Sequence, residues 1–201
     1  MKRNIILIMT LLALSIAYAD RENDLPANLN SAFTLGAKNS SSLQVNFTLP
    51  EYTLQEETQG ETVYRKIELP LSGTLLDSGM PELPVICTSI AIPCKGTVNF
   101  EVLSTRQTVI PDFLPYPVQQ GNNLENPKSF VINNSYYNSG GTYPETLMEI
   151  SEPSILRDFR IITIQINPFA YNAQSGDLTV YQDISFRLNF TDEQGINELV
   201  S

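Results

Sequence analysis

Few side chains in this chain are suited to chemistry, and their spacing excludes more than it supports. None of the 201 residues is histidine. That removes the Ser-His-Asp and Cys-His arrangements, the usual general base near neutral pH and the commonest transition-metal ligand. Carboxylates adjoin at Glu56 with Glu57 and at Asp192 with Glu193. Both pairs lie in polar, turn-like stretches without apolar flanks to raise a pKa, so they read as solvated rather than as an acid and a base. Asp177 and Asp183 flank a short apolar run and lack the alternating spacing of a calcium loop. Neither a metal site nor a cofactor site is predicted.

Cys87 and Cys94 are the only cysteines. Seven residues of extended chain span roughly 23 Å, beyond the reach of a disulfide. Cys87 is therefore expected as a small core residue, and a bridge requires the chain to double back at Pro93. Only Lys95 is placed to lower a thiol pKa. Tyr136, Tyr137 and Tyr143 offer exposed rings, either for stacking on a sugar or for covering the end of a sheet domain. Between Arg106 and Arg157 the one basic residue is Lys128, beside Pro127. A lone cation on a long loop suits an acidic specificity pocket of a peptidase, and a solvated lysine is the plainer alternative. The Asn-X-Ser/Thr triplets at Asn39, Asn46, Asn133 and Asn189 are of a kind that an Asn-rich chain produces by chance.

Residues 1–19, MKRNIILIMTLLALSIAYA, have the basic start, apolar run and small-residue end of a secretory signal peptide. The run is short for a membrane span, so no span is expected in the mature chain. Exported placement follows: periplasmic, cell-surface or secreted. The net charge is −10, and loss of Lys2 and Arg3 with the leader takes it to −12. Nucleic acid and anionic membrane are thereby disfavoured as partners, since both demand clustered Lys and Arg.

The elements that must position these residues are strands. Residues 20–42 read as a polar leader. Leu43, Val45, Phe47 and Leu49 alternate with polar residues up to Pro50, the pattern of a half-buried strand. A second segment opens at Tyr52 and Leu54 and is interrupted by the acidic stretch 56–61. Val63, Arg65, Ile67 and Leu69 share one face of a third strand, with Gln59-Gly60 as its hairpin turn. The stretch GMPELPVICTSIAIP, Gly79 to Pro93, is the least polar in the mature chain and reads as a buried central strand entered through a rigid turn. The strand after it, from Val98 to about Ile110, is expected as its antiparallel neighbour across a tight turn. Residues 111–144 form a long Pro-, Asn- and Tyr-rich insertion, in which only Phe130 to Ile132 resemble a strand; loops of such length are often functional. Strands return at 146–150, 161–166, 178–181 and 184–190. This predicts an all-β domain over residues 43–201, an antiparallel β-sandwich with a jelly roll as one form of it.

The order of LQVNFTLPEYTL, VYRKIELP, GMPELPVICTSIAIP and ISEPSILRDFRIITIQINPFAYNAQSGDLTVYQDISFRLNF resembles the pro-domain of gingipain-type cysteine peptidases, from about Leu43 to Phe190. The Gly-x-Pro-x-Leu-Pro segment and the Arg-x-x-Arg to Pro-x-x-Tyr-Asn tail are its most specific parts. The resemblance implies a non-catalytic β-sandwich that inhibits a peptidase catalytic domain, in cis or in trans, and assists its folding. In that family an inhibitory loop presents a basic side chain to the specificity pocket, for which Lys128 is the candidate here. The catalytic domain is absent from this chain, so the reading is either a truncated precursor or a free-standing inhibitor or chaperone. The competing reading is a cell-surface or matrix-binding sandwich whose tyrosines contact glycan or protein. Enzyme activity in this chain alone lacks a credible nucleophile and base.

Overall fold

The computed structural model describes residues 32–119 and 129–199. The expected signal segment 1–19 and Lys128 lie outside the described residues. In chain order the strands are β1 (Phe33–Lys38), β2 (Ser42–Thr48), β3 (Thr53–Gln59), β4 (Thr62–Glu68), β5 (Gly73–Thr74), β6 (Pro84–Ala91) and β7 (Val98–Ile110). A short helix, α1 (Asn134–Ser139), precedes β8 (Thr142–Tyr143), β9 (Met148–Ile150), β10 (Ser154–Leu156), β11 (Phe159–Ile166), β12 (Phe169–Asn172) and β13 (Asp177–Phe190).

Strand β13 is the spine of a six-stranded sheet. β7 runs along one of its edges from Ile110 to Val98, while β12 and β2 divide the other edge between them, and β8 and β1 lie outside those two. Leu178, Val180, Ile184, Phe186 and Leu188 of β13 and Leu43, Val45 and Phe47 of β2 are buried, which is the period-2 signature of a strand with one face on a core. The second sheet has five strands: β11 pairs with β6 on one edge and with β9 and β10 on the other, and β5 extends β6. Arg160, Ile162, Ile164 and Ile166 are its inward residues on β11. Every strand pairing is antiparallel, and the protein is the expected all-β sandwich. A separate hairpin, β3 with β4, turns through Gly60-Glu61, so β3 continues through Glu56 and Glu57 rather than breaking there.

Several expectations are corrected. β6 and β7 are not neighbours: the chain changes sheets at 93–97. The corner is made by a close approach of two backbones, for a Cβ on Gly96 would lie 1.8 Å from the Thr191 carbonyl oxygen. Cys87 is exposed and unbridged, as is Cys94; β6 is buried on both faces only over Pro84, Val85 and Ile86 and alternates thereafter. On β4 Tyr64 is buried and Val63 is 48% exposed, because the aromatic ring finds partners described below. Strand β1 falls inside the stretch read as a polar leader and pairs with β2. Residues 178–181 and 184–190 belong to one strand, since an irregularity at Gln182 absorbs the break in pattern.

Candidate functional site: the anchored insertion

The insertion begins as a docked strip. Phe113, Pro115, Pro117 and Val118 are buried, and the alternate backbone groups bond to two different elements. Arg65 N–H of β4 donates to Leu114 O at 2.8 Å, and Tyr116 N–H donates to Arg65 O at 2.9 Å. Further along, Glu82 N–H donates to Tyr116 O and Val118 N–H to Met80 O, each at 2.8 Å. The prolines sit where no backbone donor is needed.

Both legs of the insertion meet at Gly79. Its N–H donates to Val118 O at 2.9 Å on the outgoing leg, and its carbonyl accepts from Asn133 N–H at 2.9 Å on the return. Gly79 has φ +78°, and a Cβ there would stand 2.9 Å from Asn133 N. Glycine is the side chain that permits both the turn and the approach. Gln119 closes the legs above this point. Its amide donates to Pro117 O at 2.9 Å and to Val131 O at 2.8 Å, and its side-chain oxygen accepts from Val131 N–H at 2.9 Å. The side chain takes the place of a strand neighbour, and residues 129–133 need form no strand, contrary to the expectation for Phe130 to Ile132.

Aromatic packing stiffens the base. Tyr64, Tyr116 and Phe130 form a triad with ring centroids 5.6–5.9 Å apart, joining β4 to the outgoing and returning legs. Lys66 Nζ sits 4.2 Å from the Tyr116 ring centroid and 3.9 Å from Glu82. Burial pushes up the pKa of both Tyr64 and Tyr116, more than their neighbouring charges do.

The return leg enters α1, where Asn133 Oδ1 accepts from Tyr136 N–H. Tyr136, Tyr137 and Tyr143 are half-buried, not exposed. The Tyr136 hydroxyl is shared between Tyr171 O at 2.9 Å and Gly141 O at 3.1 Å; Tyr137 donates to Pro115 O at 2.9 Å and Tyr143 to Asp77 Oδ2 at 2.8 Å. Their rings pack on one another and on Tyr171. Desolvation pushes all three hydroxyl pKa values far above the ordinary 10.0, with the Asp77 carboxylate adding to the rise at Tyr143. These rings tie α1 to the first leg, to β12 and to the segment before Gly79.

The remaining sequence candidates lie elsewhere. Glu56 and Glu57 face solvent on β3. Asp183 accepts from Thr48 and pairs with Arg106, and no cluster of metal-ligating residues occurs among the described residues. Partial desolvation pushes the Cys87 thiol upward, the opposite of an activated nucleophile. A cavity of about 1020 Å³ opens between the β2–β3 connection and β4, lined by Leu49, Tyr52, Ile67 and Arg106 among others, and holds none of the predicted site residues. Among the described residues no helix is long and apolar enough to cross a membrane.

One buried group was missed by sequence reasoning. Arg160, 2% exposed, donates to Pro93 O, Gly96 O and twice to Ile196 O, at 2.7–3.2 Å. Nearby, Glu198 accepts from Gly96 N–H and Gly195 N–H, and these two bonds hold its pKa low. Together they fasten residues 195–199 to the β6–β7 corner. Its signal is phase: a charged residue at the inward position of the Arg160, Ile162, Ile164 alternation.

Comparison with known proteins places this geometry. Gingipain R2 of Porphyromonas gingivalis is 24% identical over 203 residues, covering 99% of this chain and 28% of the relative. Lys-gingipain of the same species is 25% identical over 165 residues, 78% of this chain and 9% of the relative. The chain therefore spans less than a third of either. The fold is similar to that in a complex of P. gingivalis RgpB pro- and mature domains, with TM-score 0.74, 23% identity, and coverage of 85% of this chain and 89% of that one. It is also similar to a structure on the zymogenic latency of gingipain K, with TM-score 0.67, 21% identity, and 84% and 95% coverage. The Propeptide_C25 family model matches residues 21–199, and the chain belongs to that family, the propeptides of gingipain-type cysteine peptidases.

Proposed function

We propose that this chain is the non-catalytic pro-domain of an exported gingipain-type peptidase, which holds the catalytic domain latent and assists its folding. The observation that carries the reading is the anchoring of the insertion: two legs pinned at Gly79 and closed by Gln119. A loop held at its base presents residues to a cleft at low entropic cost, which is what an inhibitor requires. Lys128 is the residue assigned to the acidic specificity pocket, where a desolvated ion pair adds selectivity. Export rests on the signal-like residues 1–19. No catalysis is assigned to the chain, because histidine is absent.

The test is inhibition of mature gingipain R2 and Lys-gingipain by the purified chain, together with refolding yield of a denatured catalytic domain in its presence. Inhibition is expected, and Lys128→Ala should raise the inhibition constant by about tenfold or more. An unchanged constant removes Lys128 from the mechanism. Failure of the unaltered chain to inhibit, bind or assist refolding overturns the reading.

A further inference from the structure

Strand β7 has one edge without a partner. Its thirteen residues, Val98–Ile110, pair with β13 on one side, and among the described residues no strand pairing or backbone hydrogen bond meets the other. That leaves roughly 40 Å of backbone donors and acceptors open. Long exposed edges attract another strand, and proteins guard them with lysine, with proline or by keeping them short. The sequence VNFEVLSTRQTVI has neither lysine nor proline. The other strands with a wholly unpaired edge are shorter, and the longest of them, β3, has seven residues and carries Glu56 and Glu57.

The charges on this edge are arranged to meet a copy of themselves. Glu101 and Arg106 are the only charged residues of β7, so an edge of zero net charge belongs to a chain of net charge −10. In register on β13 they stand beside Arg187 and Asp183 and form ion pairs with them, Glu101 at 3.8 Å. Arg187 and Asp183 point outward, because Ile184, Phe186 and Leu188 are buried. Residues five apart on a regular strand take opposite faces. The bulge at Leu103, where Val102 and Ser104 stand beside the consecutive residues Phe186 and Ser185, puts Glu101 and Arg106 on the same one. A device that elsewhere guards an edge here aligns its two charges.

Two β7 strands laid antiparallel about a twofold axis between Leu103 and Ser104 bring Glu101 of each copy opposite Arg106 of the other. Across the joined sheet the outward charges then run Arg187, Glu101, Arg106, Asp183, alternating in sign over four strands. A slip of one residue sets Glu101 against Thr105 or Gln107 and breaks the row. The same register places Val102, 38% exposed although its neighbour Phe186 is fully buried, beside Thr105 of the second copy. Each copy uses its one such edge, so the pairing closes at two.

We propose that the free edge of β7 is a self-association surface, through which two copies of this chain join into one continuous sheet. The proposal does not rest on the inhibitory role.

Sedimentation equilibrium of the chain tests this, with a single monomer–dimer equilibrium expected. Glu101→Arg and Arg106→Glu each set like charges opposite one another on both sides of the axis. Each should raise the dimer dissociation constant by about tenfold or more, with circular dichroism unchanged because both side chains are exposed. Mixing the two variants sets arginine opposite glutamate at both places and should restore dimers at the concentration where the unaltered chain forms them. Amide exchange in the unaltered chain gives a readout that needs no variant: alternate β7 amides should slow by about tenfold or more as concentration rises through the dimer midpoint, and β3 amides should not. A chain still monomeric at about 1 mM, a dimer whose β7 amides gain no protection, oligomers that grow beyond two, or folded variants that fail to recover on mixing each overturn the assignment. Peptidase inhibition is measured separately, and neither result decides the other.

Discussion

Gly79 and Asn133 are in contact through their backbones: the Asn133 N–H donates to the Gly79 carbonyl at 2.9 Å, and a methyl group on Gly79 would stand 2.9 Å from that same nitrogen. The bond joins the turn between β5 and β6 to the return leg of the insertion, 54 residues later in the chain. Gly79→Ala should cost about 1–3 kcal/mol, combining an unfavourable positive φ with displacement of Asn133. Urea unfolding measures the loss; a change under 0.5 kcal/mol contradicts the account.

Arg160 makes a second prediction. Lysine keeps the charge but cannot reach Pro93, Gly96 and Ile196 carbonyls in one planar fork. Arg160→Lys should therefore destabilise by about 2–4 kcal/mol, since buried carbonyls lose their donors. Hydrogen exchange at Gly195 and Leu199 should quicken before the core amides respond. Uniform quickening would show that the tail is not a separate unit.

Gln119 is tested by charge rather than by size. Gln119→Glu keeps the acceptor for Val131 N–H but removes both donors and points a carboxylate at two carbonyls. Val131 exchange should rise by about tenfold or more, with a global loss of about 1–2 kcal/mol. Equal protection in both proteins would rule out the clamp.

The tyrosines set the alkaline limit. In Tyr136, Tyr137 and Tyr143 the folded pKa is raised above the ordinary 10.0, so the fold favours the protonated ring. That stability is complete below pH 10.0 and is lost as pH rises above it toward the folded values, because the unfolded chain releases its protons first. Urea midpoints should be level from about pH 7 to 9 and fall steeply beyond 10. Replacing Tyr143 by Phe should flatten part of that fall; an identical profile would remove Tyr143 as a contributor.

What the sequence revealed depended on whether the physics was local. Alternation marked β2 and the body of β13 because burial on one face imposes it residue by residue. The sheet change between β6 and β7 left no such mark, since a tight turn reads alike whether the next strand stays or crosses. Cys87 was misplaced for a related reason: an apolar run does not say which half of a strand is covered twice. In the site, the Gly-x-Pro-x-Leu-Pro segment was singled out, but its task of gripping two distant legs rests on Val118 and Asn133 and is invisible locally. Gln119 and Arg160 act through backbone groups, which every residue carries, so no partner side chain betrays them.

The placement of β13 bears on when this domain can form. β7 finds its pairing partner, and β2 its partner besides the local β1, only in residues 177–190, so the larger sheet has no centre until those residues are present. Such distant pairing makes assembly slow and leaves β7 without its hydrogen-bonding neighbour until β13 has been made. The domain must close late and as one event, with the strand that completes it emerging just ahead of the segment that Arg160 then ties down.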